Sequence, residues 1–246
     1  MSDLYDICIV GSGPAGAFAA NNLSKNNKKV ILIDAGDKYP SSNIKNNFDL
    51  KRSKINGSID FGFSEQIGGS SNLWAGQLSE MNAIDLEERT EFNFLKWPFN
   101  QNQLAFYYDR VKKIIGFDEN KYIYHDTHGI ELREAICMDE PYNTKVLLKN
   151  LKNLTLLSNT SVSKVIINEQ KDSVLSIRVF NSRTREFKDI KAKNYILASG
   201  TISNIRIMLN SLQDFKKIDP DFFDSIGAYF STHPKGYVGK INLNEK

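Results

Sequence analysis

At 246 residues, with 41% hydrophobic and 25% charged side chains, the chain has an ordinary globular composition and the length for one large domain or two small ones. Its 32 basic and 29 acidic residues leave a net charge of +3 with no long basic run, which argues against nucleic acid as a partner, and no apolar run approaches the roughly 20 residues of a membrane span. The two cysteines, Cys8 and Cys137, are far apart and unpatterned, so reduced structural thiols are expected rather than a disulfide framework or a nucleophile. A strand signal that begins at Leu4 leaves no room for a secretory leader, and a cytoplasmic chain is expected.

That first signal is LYDICIVGSGPAG, residues 4–16. Ile7, Ile9 and Val10 have the β-branched character of a buried parallel strand, and Gly11-x-Gly13-x-x-Gly16 follows without a spacer. Gly11 serves the sharp turn, Gly13 the approach of a diphosphate, and Gly16 the packing of helix on strand. Pro14 suits a first helical position, where its missing N–H has no intrahelical partner. A helix over residues 14–26 and a second apolar strand over 30–33 follow, and that strand ends at Asp34. An acid about 20 residues beyond the glycines is where a ribose-binding carboxylate belongs, and its charge opposes a 2′-phosphate.

Residues 35–76 are polar and rich in Gly, Ser and Asn without sustained period, and read as one long loop anchored by Phe48, Phe61, Phe63 and Trp74. Within it Gly68-Gly69-Ser70-Ser71 brings backbone amides and hydroxyls together; these four residues alone fit a ligand-facing loop or a solvent-exposed turn. Asn100, with Gln103 three positions on, predicts a capped helix running to Gly116, with Leu104, Tyr107, Tyr108, Val111, Ile114 and Ile115 as a core stripe. His125-Asp126-Thr127-His128 has the spacing of a metal pair, but nothing completes it, so a surface loop and no metal are expected.

A short helix over 144–149 and a strand over 154–157 come next. Three amphipathic strands follow at 161–168, 174–180 and 186–192, with Asn181-Ser182-Arg183-Thr184 as a hairpin turn. Tyr195 to Ala198 reads as a further strand, ending in Ser199-Gly200, and Thr201 is expected to cap a helix with Ile202, Ile205, Met208 and Leu209 on its apolar face. A β-meander is thus spliced between two strand-glycine-helix junctions whose ends share one carboxyl edge.

GSGPAG, the Asp34-Ala35-Gly36 step, GGSSNLWAG at 68–76, WPFNQNQLAFYY at 97–108, the meander, ILASGTISNIRIMLNS at 196–211 and IGAYFSTHP at 226–234 together resemble the glucose-methanol-choline family of flavoproteins. The resemblance runs through nearly the whole chain. It implies an α/β Rossmann-like FAD-binding fold with a three-stranded β-meander and a truncated substrate or cap domain. The FAD domain would occupy 1–85 and 145–212, and partial cap elements 86–144 and 213–246.

The resemblance places Gly11, Gly13 and Gly16, with Pro14 and Ala15, at the FAD pyrophosphate, and Asp34 and Ala35 at the adenosine ribose. Gly69, Ser70 and Asn72 would lie along the ribityl and isoalloxazine portion, Val162 on the adenine side, and Ala198, Ser199 and Gly200 along the cofactor edge. Leu73 stands where some relatives attach flavin through histidine, which implies non-covalent FAD. The family moves a hydride from an alcohol or sugar carbon to flavin N5, with a late histidine as base in a chain about twice this long. No catalytic residue is therefore expected here. His233 falls in a segment that marks the way into the substrate domain, and Asn204 and Arg206 match a structural part of the pattern.

Three functions fit these expectations. One is the N-terminal half of an FAD-dependent alcohol or sugar oxidoreductase, cut short or completed by a partner chain. The second is a catalytically inactive flavin- or nucleotide-binding remnant. The third, a non-binding remnant kept for interaction, sits poorly with the intact Gly11, Gly13, Gly16 and Asp34 set. An exposed apolar edge is expected where the closing strand is missing.

Overall fold

A computed structural model describes residues 4–38, 64–92, 94–116, 124–127, 130–133, 136–138, 140–170, 172–211, 225–228 and 230. In chain order the elements are β1 (Tyr5–Val10), α1 (Pro14–Lys25), β2 (Val30–Ile33), β3 (Gln77–Leu78), α2 (Ala83–Leu86), α3 (Gln101–Ile115), β4 (Tyr124–Thr127), β5 (Ile130–Arg133), β6 (Ile136–Cys137), β7 (Leu154–Leu157), β8 (Thr160–Ile167), β9 (Val174–Asn181), β10 (Glu186–Ile190), β11 (Ala192–Leu197) and α4 (Thr201–Asn210). The chain divides into two compact units, residues 1–73 with 144–246, and residues 74–143.

The first unit is built on a parallel sheet in the order β11-β1-β2-β7. β1 pairs with β2 from Ile7↔Val30 to Val10↔Ile33 and with β11 from Tyr5↔Ala192 to Val10↔Leu197, so all three strands end at one level. Alternation through the sheet then separates two cores. Ile7, Ile9, Val30 and Leu32 turn toward α1, where Ala20 is buried with them. Cys8, Val10, Ile31 and Ile33 turn the other way and join Val165, Ile177, Val179 and Ile190 of the meander. Because β1 and β2 are covered on both faces, their sequences are continuous apolar runs.

The meander β8-β9-β10 is antiparallel, with Ile177 and Val179 buried and Arg178 between them on the outer face. Arg178 makes a two-pronged ion pair with Asp189 directly across the ladder, at 2.9 and 3.1 Å. The hairpin turn falls where expected, and Asn181 explains it: its Oδ1 accepts the N–H groups of Arg183 and Thr184. In the second unit α3 starts at the expected capping box, Asn100 with Gln103, and stops at Gly116 in the left-handed conformation.

Several expectations are corrected. No described residue of α3 is buried: Leu104, Tyr108, Val111 and Ile115 are half-buried, whereas Tyr107 and Ile114 are exposed, so the stripe is narrower than the sequence suggested. Residues 124–127 are strand β4, paired antiparallel with β5, and not a loop; His128 lies outside the described residues. The 144–149 element is a 3₁₀ helix over Thr144–Leu148. Thr201 is the first helical residue of α4, with Gly200 as its N-cap. The buried residue of α4 is Ile207, because Ser211 at the end of the helix binds the Val165 N–H of β8 at 2.8 Å and turns that side onto the meander. Phe48, Phe61, Phe63 and His233 lie outside the described residues. No helix among the described residues is long and apolar enough to cross a membrane.

The change of burial along one face of β9 supplies a test. Ile177→Ala removes a fully buried side chain shared by sheet and meander and is expected to cost about 2–5 kcal/mol, against less than about 1 kcal/mol for Leu175→Ala two positions away on the same strand, where the side chain is 50% exposed. Urea unfolding of the two variants measures the difference.

Candidate functional site

β1, β2 and β11 end together, and their connections build the site from the carboxyl edge outward. At the end of β1, Gly11 donates its N–H to Ile33 O at 2.7 Å, and Ala198 donates to Val10 O at 2.7 Å, so three chain segments meet around one turn. A Cβ on Gly16 would stand 1.9 Å from Gly11 O, which no side chain tolerates. Gly13 differs: the nearest atom to its missing Cβ is Gly69 Cα at 4.0 Å, so the space in front of it is open.

α1 begins at Pro14 with Gly13 as an extended N-cap that offers no side chain to the first-turn N–H groups. α4 begins after Gly200, which has φ +81° and likewise offers no side-chain cap. Two helix N-termini with uncapped donors therefore open on one cavity of about 950 Å³, and the N-terminal end of a helix favours negative charge. The second junction is braced by Asn204: its Oδ1 accepts the Ser199 N–H at 3.0 Å and the Ser199 hydroxyl at 2.6 Å, and its Nδ2 donates to Leu197 O.

The Gly68–Ser71 turn closes over the β1–α1 turn. Gly69 has φ +54° and a Cβ there would lie 2.8 Å from Gly13 Cα, so both the conformation and the approach demand glycine. Of its four residues Gly69 and Ser70 line the cavity, and Gly68 and Ser71 are buried behind them. Asp34 stands at the end of β2, and its carboxylate takes three donors: Ser12 N–H at 2.7 Å and Ser12 hydroxyl at 2.6 Å on Oδ2, and Gly36 N–H at 2.8 Å on Oδ1. A carboxylate has about four acceptor positions, so room is left for a further donor from the cavity.

Of the residues singled out from the sequence, Gly11, Gly13, Pro14 and Ala15 line the cavity at the first turn, and Asp34 and Ala35 at the end of β2. Gly69, Ser70 and Val162 line it from the loop and the meander, and Ala198, Ser199 and Gly200 from the second junction. Gly16 and Asn72 are not among the described lining residues. Gly16 is consumed in helix-strand packing, and the Asn72 amide donates to Ile67 O and Gly69 O within the loop. The lining also includes Asn204 and Arg206, which the sequence marked only as a structural part of the pattern, and Ser64, Glu65, Thr160 and Ser161, whose isolated polar character in the sequence carries no signal. Among the described residues no His, Cys, Asp and Glu group could hold a metal ion.

The pyridine nucleotide-disulphide oxidoreductase model matches residues 5–219, most of the chain. The chain belongs to that family. Its Rossmann-like fold is accordingly an FAD-binding fold, and the family is one of FAD-dependent oxidoreductases. Among solved structures the chain is similar to pyridoxine 4-oxidase from Mesorbium loti, at 18% identity and TM-score 0.50, over 84% of this chain and 52% of that one. It is similar also to a fungal aryl-alcohol oxidase, at 14% identity and TM-score 0.55, over 83% of this chain and 47% of that one. Urocanate reductase of Eggerthella lenta is 24% identical over 247 residues, covering 93% of this chain and 37% of the reductase. The chain therefore spans about half the length of the solved structures it matches, and less of the reductase.

The family name includes disulphide chemistry, and Cys8 is unsuited to it. Cys8 is fully buried in β1, and burial pushes its thiol from 9.0 up to about 12. It is expected to resist a thiol reagent at pH 8 in the folded chain and to react once guanidinium unfolds it. A raised folded pKa contributes stability that is complete below the unfolded pKa and is lost as pH rises toward the folded one, so the urea midpoint should fall between pH 9 and 12 and fall less in Cys8→Ala.

Proposed function

We propose that this chain is the FAD-cradling half of an oxidoreductase of the glucose-methanol-choline type, acting on the CH–OH group of an alcohol or sugar. The observation that carries the reading is the convergence, on one cavity, of two strand-glycine-helix junctions, the glycine loop and the Asp34 carboxylate, with the meander beside them. The residues present fit FAD: the open space before Gly13 admits a diphosphate, two helix N-termini favour its charge, and Asp34 keeps acceptor capacity for ribose. The solved relatives named pyridoxine 4-oxidase and aryl-alcohol oxidase support the alcohol-oxidising type.

In this reading Gly11, Gly13 and the first turn of α1 hold the pyrophosphate, while Asp34 and Ala35 take the adenosine ribose. Val162 borders the adenine, and Gly69, Ser70 and Ala198 to Gly200 flank the flavin portion. FAD, when bound, supplies the hydride acceptor at N5. Leu73, exposed and hydrocarbon, gives flavin no covalent anchor at that position, which supports a non-covalent cofactor. None of the described lining residues is a histidine, and we assign the base that takes the hydroxyl proton to a C-terminal half, in the same polypeptide or on a partner chain. The functional division is 1–85 with 145–212 for the cofactor and 86–144 with 213–246 for the substrate cap, in a cytoplasmic setting. The absence of a histidine among the described lining residues also supports a second reading, a nucleotide-binding subunit with no chemistry of its own.

The purified chain should take up FAD and turn yellow, and Asp34→Ala should weaken FAD binding by about 10- to 100-fold, the loss of a hydrogen bond to a charged group, while leaving FMN unaffected because FMN has no adenosine. A colourless protein that takes up no added FAD would sink both readings. Turnover of alcohols with an artificial electron acceptor should require addition of a C-terminal half; turnover by this chain alone would contradict the placement of the base.

A further inference from the structure

Ser12 occupies a position that the glycine fingerprint leaves open to any residue, yet it is fully buried and its hydroxyl carries two bonds. The hydroxyl donates to Asp34 Oδ2 at 2.6 Å and accepts the Gly68 N–H at 3.0 Å, 56 residues along the chain. The Ser12 N–H donates to the same Oδ2 at 2.7 Å. The other end of the Gly68 residue is held as well: its carbonyl accepts the Ser71 hydroxyl at 2.7 Å, and Thr144 Oγ1 lies 3.4 Å from it. Ser71 Oγ and Thr144 Oγ1 are 2.9 Å apart, and the Thr144 N–H donates to Ser71 Oγ at 3.1 Å. Ser12, Ser71 and Thr144 are all buried, so these bonds form one line from the end of β2 to the start of the Thr144–Leu148 3₁₀ helix.

The physics of that line gives it a direction. A hydroxyl has one proton, and the carboxylate takes it, which leaves the Ser12 lone pairs facing Gly68 N–H. A hydroxyl polarised by a carboxylate is the stronger acceptor, and burial enlarges the effect. We infer that Ser12 is a positioning residue that joins the Asp34 carboxylate and the Gly68–Gly69 turn into one unit. The acid that faces the ribose and the turn that closes on Gly13 are then set together, and loss of the Ser12 hydroxyl uncouples them, although Asp34 keeps the Ser12 and Gly36 N–H groups and Gly68 keeps Ser71. The coupling stands on the geometry alone; its consequence for a ligand rests on the nucleotide reading proposed above.

Amide exchange followed by NMR on the free chain tests the coupling without any ligand. Ser12→Ala should speed exchange at Gly68 by at least about tenfold, the loss of one buried hydrogen bond, while Ile9 and Leu32 in the core keep their protection and show that the variant is folded. Asp34→Ala should also speed Gly68, although Asp34 does not touch it, and the double variant should exchange no faster than Ser12→Ala alone. An Asp34→Ala variant with Gly68 exchange unchanged would overturn the coupling. The second arm compares ADP with 2′,3′-dideoxy-ADP by calorimetry. Loss of the ribose hydroxyls should weaken binding by about tenfold or more in the wild-type chain and by less than about threefold in Ser12→Ala. A Ser12→Ala variant that weakens both nucleotides by the same factor shows a merely structural role and overturns the positioning claim. A wild-type chain that binds neither nucleotide removes the nucleotide reading and the ribose consequence with it, and the exchange measurements then decide the coupling by themselves.

Discussion

Where the β1–α1 turn meets the end of β11 there is no room for a side chain. A Cβ on Gly11 would lie 2.5 Å from Ala198 O and one on Gly16 1.9 Å from Gly11 O, and in both places the obstacle is backbone, which cannot step aside. That constraint lets β1 carry a strand on each side while both of its faces are covered, by α1 on one and the meander on the other. It also brings the starts of α1 and α4 to one cavity, because each helix leaves its strand within a few residues of this contact. The packing that stabilises the fold is thus the packing that assembles the site.

Magnitudes order the forces in that cavity. A helix N-terminus contributes about 0.3–1 kcal/mol toward a nearby anion at an exposed site, whereas a hydrogen bond to a charged group contributes about 1.5–3 kcal/mol. The two helices therefore bias the cavity toward a diphosphate broadly, and the fixed donors and acceptors decide where its ends lie. Asp34 is the fixed point: three donors from Ser12 and Gly36 hold a carboxylate that would otherwise repel the diphosphate from a range of positions. The opposing charges are kept at separate places, acid at the end of β2 and helix ends at the two turns, so one elongated ligand with a charged middle and a hydroxylated end satisfies both.

Much of this was legible in the sequence, and what was not has identifiable causes. β1, β2 and β7 show as apolar runs, and the meander as alternation, because a sheet imposes period 2 or full burial on every residue. The cavity lining at Gly11, Gly13 and Asp34 was legible because glycine and a lone acid at fixed spacings report backbone needs, while Gly69 and Ala198 to Gly200 came from the family resemblance. Ser12 and Thr144 were not, since a serine or threonine looks the same in sequence whether it faces water or spans a buried gap to a residue many positions away. The phase of α4 was misread for a related reason: apolar residues lie around much of that helix, and the bond from Ser211 to β8, a tertiary contact, selects Ile207 as the inward one. The stripe of α3 was read too wide, because helical spacing marks a face without saying how much of it is covered.

The cavity is lined entirely by the unit of residues 1–73 and 144–246. In the proposed reading, binding a dinucleotide and reacting with a substrate draw on different residues of the protein. The described lining supplies hydroxyls, amides and glycines in number, with the carboxylates of Asp34 and Glu65 and the guanidinium of Arg206, whereas proton removal needs a group poised near the working pH and within hydrogen-bond reach of the substrate hydroxyl. Fixed backbone donors lose nothing when a chain is divided, because the strands that carry them pair with one another. In the proposed reading the base comes from other residues, which need not disturb the cradle. A fold arranged this way keeps its cofactor site intact whatever supplies the chemistry.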